Sequence, residues 1–171
     1  MKLGSIVAYT GTHGVGKTTA AFKKAHELKI QHKKKKIGIL IESTLDCPFS
    51  INRNTSSASQ LWMFTKHLNN ELTLLTLYDL IVSDRTIFDY IAYTEWSGDK
   101  SLSYDMLSIA KKVMNNYEKI YFKTIKNNEY LSDDNHRDSN DLSFRESIEL
   151  ILKNIYPKIG MIGNQDILDF D

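Results

Sequence analysis

The sequence is poor in cysteine, in proline and in long hydrophobic runs, and each shortage narrows what the chain can be. Cys47 is its single cysteine in 171 residues, so no disulfide can form within the chain. That suits a reducing compartment, and a cytoplasmic location is expected. No apolar run reaches the roughly 20 residues of a spanning helix. The stretch from Met1 to Thr10 is also too short for a signal peptide, so no membrane association is expected. Charge of one sign is missing too: 22 Lys and Arg stand against 21 Asp and Glu, a net of +1. No global field draws such a chain to nucleic acid. The four lysines from Lys33 to Lys36 read as a solvated turn. Neither D-x-x-G nor N-K-x-D occurs, which argues against a Ras-like switch.

What is present is ordinary for one globular α/β domain spanning residues 1–171. Apolar residues make up 42% and charged residues 25%, enough to bury a core. Short apolar runs alternate with helical periodicity. Strands are expected at Ser5–Tyr9, Ile37–Ile41, Leu80–Ser83 and Ile120–Ile125, with a last short one at Ile159–Ile162. Helices are expected at Thr18–Lys29, Ser59–Leu77, Ile87–Trp96, Tyr104–Tyr117 and Phe144–Ile155, the last ended by Pro157. In the second helix Leu61, Phe64, Leu68, Leu72 and Leu75 recur at helical spacing. Glu42 to Ser57, with Pro48, reads as loop. Such alternation predicts a parallel sheet with helices on both faces and a site at the strand C-terminal edge.

One motif is complete. Gly11-Thr12-His13-Gly14-Val15-Gly16-Lys17-Thr18 fits G-x-x-x-x-G-K-[ST] between a strand and a helix. Glycines let the backbone turn its N–H groups onto phosphate oxygens, and the following helix adds its positive end. Lys17 suits the β- and γ-phosphates, and Thr18 offers Mg²⁺ a hydroxyl. Thr19 completes the phosphate-binding set. His13 reads as an exposed loop histidine. The motif calls for a nucleoside triphosphate, ATP by preference, with Mg²⁺.

Other candidates lie at the same edge. Asp84 follows the third strand, where a metal-orienting acid is expected; it also reads as the N-cap of the helix at Ile87. Its neighbour is Arg85 rather than the glutamate that would activate water, which suits an anionic substrate or a phosphoryl group in transit. Glu42 ends the second strand and suits proton removal from an attacking hydroxyl, or is a plain strand-end acid. Asp89, Tyr93 and Trp96 share a helix face opposite Ile87 and Ile91, as pocket lining or as packing. Arg53, Gln60 and Trp62 are weaker base-binding candidates, and Cys47 reads as a small packed residue. Residues 127–145 form a polar segment with Arg137 and Arg145, read as a lid that places Arg137 on developing charge, or else as a solvated loop.

Taken together, GTHGVGKTT, the segment Glu42 to Asn52, Gln60-Leu61-Trp62, Ser83-Asp84-Arg85-Thr86 and the run from Asp89 to Trp96 resemble the NadR-like P-loop ATPase and kinase family of AAA-type domains. That family includes nicotinamide-riboside kinase domains and is similar to deoxynucleoside and thymidylate kinases. The resemblance covers nearly the whole chain. It implies a three-layer P-loop sandwich with Lys17, Thr18 and Asp84 at the Mg-nucleotide, Glu42 and Arg85 near the acceptor, and Arg137 in the lid. The expected activity is transfer of the γ-phosphoryl group of ATP to a nucleoside- or nucleotide-like acceptor. A P-loop ATPase coupling hydrolysis to a partner is the alternative. The expected partners are the triphosphate and a small-molecule acceptor, with a homodimer left open.

Overall fold

The computed structural model describes residues 3–42, 44–51, 55–125, 142–160 and 168–170. The elements run β1 (Ser5–Thr10), α1 (Lys17–Gln31), β2 (Ile37–Leu40), α2 (Ser57–Leu77), β3 (Leu80–Ser83), α3 (Ile87–Trp96), α4 (Lys100–Val113), β4 (Tyr117–Phe122), α5 (Leu142–Lys158) and β5 (Leu168–Phe170). Among the described residues the strands form one sheet in the order β2-β3-β1-β4-β5, and each pairing is parallel. The expected α/β architecture with helices on both faces is therefore what the chain adopts.

Strand alternation divides the core. Ile6 and Ala8 of β1 face one side with Ile81, Ile120 and Phe122, and α2, α3, α4 and α5 pack there. Val7 and Tyr9 face the other side with Leu80 and Val82, covered by Ala21 and Leu28 of α1. A period of two sends successive side chains to opposite faces. Because both faces are covered, β3 is buried at every position, as a central parallel strand should be. α3 is the hub of the thicker layer: Ile87 through Ala92 are all buried. The expected opposition of faces holds only in part: Ile87 and Ile91 are fully buried, Asp89 is buried with them, and Tyr93 and Trp96 are half-buried.

Several boundaries move, each for a local reason. α1 runs to Gln31, closed by the His32 N–H donating to the Leu28 carbonyl. α2 begins at Ser57 because Ser56 and Ser59 form a capping box. The fourth helix is Lys100–Val113 rather than Tyr104–Tyr117, because the Asp99 carboxylate accepts from the Leu102 N–H and starts it early. A 3₁₀ turn at Met114–Asn116 then releases Tyr117 into β4. That strand accordingly begins three residues before the expected Ile120 and ends at Phe122. α5 passes through Pro157 by one residue, since proline's φ is helical and costs a single bond in a last turn. Ile159 and Gly160 form the turn after it instead of opening a strand, residues 161 and 162 of that expected strand lie outside the described residues, and the edge strand is Leu168–Phe170. The loop after β2 contains a short 3₁₀ turn, Thr44–Asp46.

α2 departs most from its apolar pattern. Leu61 and Leu72 are exposed, whereas Gln60, Met63, Phe64, His67, Glu71 and Leu75 are buried. The buried face is tilted toward His67 and Glu71 because these two find partners in the core. Tyr117 Oη donates to Glu71 Oε1 at 2.6 Å, and His67 Nε2 lies 3.2 Å from the same oxygen. Tyr90 Oη meets His67 Nδ1 at 3.4 Å, and the Ile87 N–H donates to Tyr117 Oη at 3.2 Å. A paired polar group is tolerated inside where an orphan is not.

Candidate functional site

β1 ends at Thr10 and the loop from Gly11 to Gly16 carries the chain into α1. Two of its glycines are required by geometry. Gly11 sits at φ 136°, and a Cβ there would meet the Lys123 carbonyl oxygen at 2.3 Å. Gly16 is the left-handed N-cap of α1, at φ 78°. α1 has no side-chain cap and no acid in its first turn, while a side chain caps α2 and α4 and the Asp89 carboxylate accepts the Thr86 N–H at α3. The first N–H groups of α1 are therefore left to an outside acceptor, which is what an anion site at a helix N-terminus needs.

Lys17 is buried. Its Nζ donates to the carbonyls of Gly11 at 2.9 Å and Thr12 at 2.6 Å, folded back onto the loop. Burial, reinforced by the charge of Arg85 and opposed by nearby carboxylates, lowers its pKa to about 7. Val15 is buried and Gly14 half-buried, and Thr18 and Thr19 face outward. His13 is the clearest correction here: it is 5% exposed, not a solvent-facing loop histidine. Its ring meets Tyr93 Oη through Nδ1 at 3.1 Å and packs on Phe144 at 5.3 Å between centroids. Its backbone carbonyl accepts from Arg145 Nε at 3.2 Å. α3 and α5 thus grip the P-loop, and the tilted ring of Trp96 packs against Phe144 at 4.3 Å between centroids behind it.

Asp84 bridges two segments. Its Oδ2 accepts from Thr18 Oγ1 at 2.8 Å and its Oδ1 from the Glu42 N–H at 2.8 Å. Burial raises its pKa, moderated by the Thr18 hydroxyl and Arg85. It does not cap α3: Thr86 is the N-cap, in a capping box with Asp89. The N-cap alternative for Asp84 is thereby overturned, because the helix starts two residues further on. Thr18 and Asp84 together present hard oxygen donors beside the phosphate loop, a set that fits Mg²⁺, which takes one or two protein oxygens and completes its shell with phosphate and water. Among the described residues no group of three or more His, Cys, Asp or Glu gathers as a metal cluster.

The next residue turns the other way. Arg85 Nε lies 2.7 Å from Glu42 Oε1, with both side chains nearly buried. Its guanidinium stands over the rings of Tyr90 at 5.9 Å and Tyr93 at 5.7 Å. Burial works against its charge, but the Glu42 carboxylate and the two tyrosines outweigh it and hold Arg85 firmly protonated. Glu42 also accepts from Thr44 Oγ1. Lys17, Thr18, Glu42, Asp84 and Arg85 therefore converge on one sheet edge. Arg137, Arg53 and residues 127–141 of the expected lid lie outside the described residues. Trp62 packs half-buried beside the core, as does Cys47, and Gln60 is buried. The sequence reading missed Tyr90 under Arg85 and the hold of Arg145 on the P-loop. Neither has a local motif, because their partners lie 5 and 132 residues away on other elements.

With this geometry in place, the comparisons are specific about fold. The profile of a family described as an AAA domain matches residues 6–162. No curated protein sequence matches the chain. Among solved structures, thymidylate kinase from Ehrlichia chaffeensis superposes with a TM-score of 0.67 at 17% identity, covering 98% of this chain and 86% of that one. Deoxyadenosine kinase from M. mycoides, with products dCMP and dCDP bound, gives 0.65 at 16% identity, covering 97% and 88%. The same enzyme with dATP gives 0.61 at 16% identity, covering 98% and 90%. At these identities the likeness establishes a P-loop, kinase-like fold. Among the described residues no helix is long and apolar enough to cross a membrane.

Proposed function

This chain belongs to the AAA-domain family matched over residues 6–162, and on that footing we propose that it is a small-molecule kinase acting on the hydroxyl of a nucleoside-like acceptor. The observation that carries the reading is the ion pair between Glu42 and Arg85 at 2.7 Å, beside Asp84. A hydrolytic site wants an acid free to activate water next to its metal-orienting aspartate. Here that place is taken by an arginine engaged with a carboxylate from the segment just after the neighbouring strand. The pair is neutral overall, which suits a neutral hydroxyl better than a dianionic phosphate facing Glu42. The structural likeness to a deoxyadenosine kinase and a thymidylate kinase supports a nucleoside- or nucleotide-type acceptor.

In this reading the P-loop N–H groups and Lys17 hold the β- and γ-phosphates of ATP. Thr18 and Asp84 would hold Mg²⁺, which neutralises charge on the phosphates when bound. The acceptor oxygen attacks the γ-phosphorus in line, the bond to the ADP oxygen breaks, and the hydroxyl proton passes to Glu42. Arg85 orients Glu42 and stabilises charge at the acceptor end. Arg137, from the sequence argument, would add charge over the phosphates from the segment before α5.

The test is a panel of nucleosides, nucleoside monophosphates and nicotinamide riboside, scored for acceptor-dependent ADP release with Mg-ATP and Mg-GTP. A nucleoside that raises ADP release and appears phosphorylated supports the reading. Stimulation by monophosphates alone moves the acceptor to a phosphate. Release that no acceptor stimulates replaces the kinase with an ATPase.

A further inference from the structure

We propose that Asp89 is a positioning residue for phosphoryl transfer: its buried carboxylate fastens the root of the P-loop to the first turn of α3, holding the donor phosphates in register with the Arg85–Glu42 end of the cleft. The proposal rests on the kinase reading above. Asp89 is fully buried, and both of its oxygens are occupied from opposite sides. Oδ1 accepts from Thr10 Oγ1 at 2.9 Å and from the Gly11 N–H at 3.1 Å. Oδ2 accepts from the Thr86 N–H at 2.7 Å and Thr86 Oγ1 at 3.1 Å. One side is the last residue of β1 and the first of the P-loop; the other is the N-cap of α3, next to Arg85.

A helix cap explains half of this. The capping box accounts for Oδ2 and Thr86, but α3 gains nothing from the bonds that Oδ1 makes to Thr10 and Gly11. An anion behind a polyphosphate loop also works against binding the nucleotide, since like charges repel. A single hydroxyl would reach one flank, whereas a carboxylate spans both. Gly11 is then held between two fixed points: the Asp89 oxygen, and the Lys123 carbonyl that would lie 2.3 Å from a Cβ. Tyr156 Oη, 3.3 Å from Thr86 Oγ1, ties α5 into the same network. The donor loop and the turn bearing Arg85 cannot shift separately while these bonds hold, and displacement of about 1 Å between reacting groups costs on the order of 10²-fold in rate.

Asp89→Asn keeps the shape but leaves one acceptor oxygen for two flanks, so either the Gly11 N–H or the Thr86 N–H faces an N–H₂ group and the link between the two segments is broken. Three quantities are read on the full chain: kcat and KM for acceptor-dependent ADP formation, affinity for a non-hydrolysable ATP analogue, and amide hydrogen exchange in peptides covering Thr10–His13 and Thr86–Phe88. The expected result is kcat lower by about 30-fold, with acceptor KM and analogue affinity each within about threefold, the pattern of a lost alignment rather than lost binding. Exchange rises in both peptides together. Thr10→Val leaves the carboxylate and the helix cap intact; should Asp89→Asn not fold, it carries the test, with kcat lower by about three- to tenfold. Unchanged kcat, kcat and analogue affinity falling equally, or faster exchange confined to Thr86–Phe88 each overturn the proposal. A wild-type protein with no acceptor-stimulated turnover defeats the kinase reading instead, and paired exchange then still decides whether the fastening exists: faster exchange in both peptides upholds it, and in one alone rejects it.

Discussion

The proposed donor and acceptor halves of this site are built on different principles. The donor half is eight consecutive residues whose working groups are mostly backbone N–H, set by glycine geometry at Gly11 and Gly16 and by the uncapped start of α1. The acceptor half is side chains: Glu42 from the end of β2, Arg85 after β3, and Tyr90 and Tyr93 on α3. Behind them, His67 and Glu71 of α2 and Tyr117 of β4 form a buried polar chain that ends on the Ile87 N–H. Backbone recognition is generic, because each triphosphate offers the same oxygens. Specificity and integration with the core fall to the half made of paired side chains. Removing a donor-loop side chain should therefore harm chemistry and spare the fold, whereas removing an acceptor-half support should harm the fold as well.

The largest expected effect tests the first clause. Lys17→Ala should lower turnover by about 10³-fold or more, as loss of a charge aimed at the transferring group does, with nucleotide affinity sharply weaker. The fold should survive, and the nucleotide-free melting temperature should hold or rise, since burial of this ammonium is unfavourable. A melting temperature lower by 10 °C would break the contrast. The second clause is tested by Glu71→Ala, which strands the Tyr117 hydroxyl and His67 in a fully enclosed site. A loss of about 2–4 kcal/mol in unfolding free energy is expected, since each buried polar group left without its partner costs about 1–3 kcal/mol, measured by denaturant titration. A loss under 1 kcal/mol would show that water reaches the cluster and that the acceptor half is as separable as the donor loop.

How much of this contrast was legible follows from the same physics. The P-loop, β3 and α3 could be read because their signals are local: glycines at fixed offsets, three apolar residues in a row before Ser83, and helical spacing bounded by Thr86 and Ser97. The polar face of α2 could not, because His67 and Glu71 are favourable inside only through Tyr90 and Tyr117, 23 residues from His67 and 46 from Glu71. Leucine counting accordingly turned the helix toward Leu61 and Leu72, which are exposed. His13 was misread for the same reason, its partners Tyr93 and Phe144 being 80 and 131 positions away. The Thr86–Asp89 box had a local signature, a cap residue followed at the third position by an acid. Its outer half, the reach to Thr10 and Gly11, had none.

Smaller effects resolve the acceptor half internally. Glu42→Gln should lower acceptor-dependent kcat by about 10²-fold, the usual scale for a general base, while leaving ATP-analogue affinity nearly unchanged. Arg85→Ala should approach the same loss and add little to Glu42→Gln in the double variant, because the pair acts as a unit. Full additivity would place the two residues on separate tasks. Asp84→Asn should keep nucleotide affinity within a modest factor but blunt the Mg²⁺ dependence of the rate, read by titrating the metal. An unchanged Mg²⁺ response would leave Asp84 only its bridge between Thr18 and the Glu42 N–H.

The gentlest test is pH, and it returns to the donor loop. Lys17 in the nucleotide-free protein has its pKa lowered to about 7 by burial and by Arg85. A bound triphosphate favours the charged form, so binding above that pH takes up a proton. Analogue affinity should fall as pH rises from 7 to 9, by at most about tenfold per unit for one coupled proton. Lys17→Arg keeps its charge throughout this range and should lose the slope. The fold itself should respond with the opposite sign. Between pH 7 and the ordinary lysine pKa the unfolded chain holds more protons at this position than the folded one, so nucleotide-free stability rises with pH across that window. An affinity slope that persists in Lys17→Arg would move the coupled proton to another group and remove the buried ammonium as its cause.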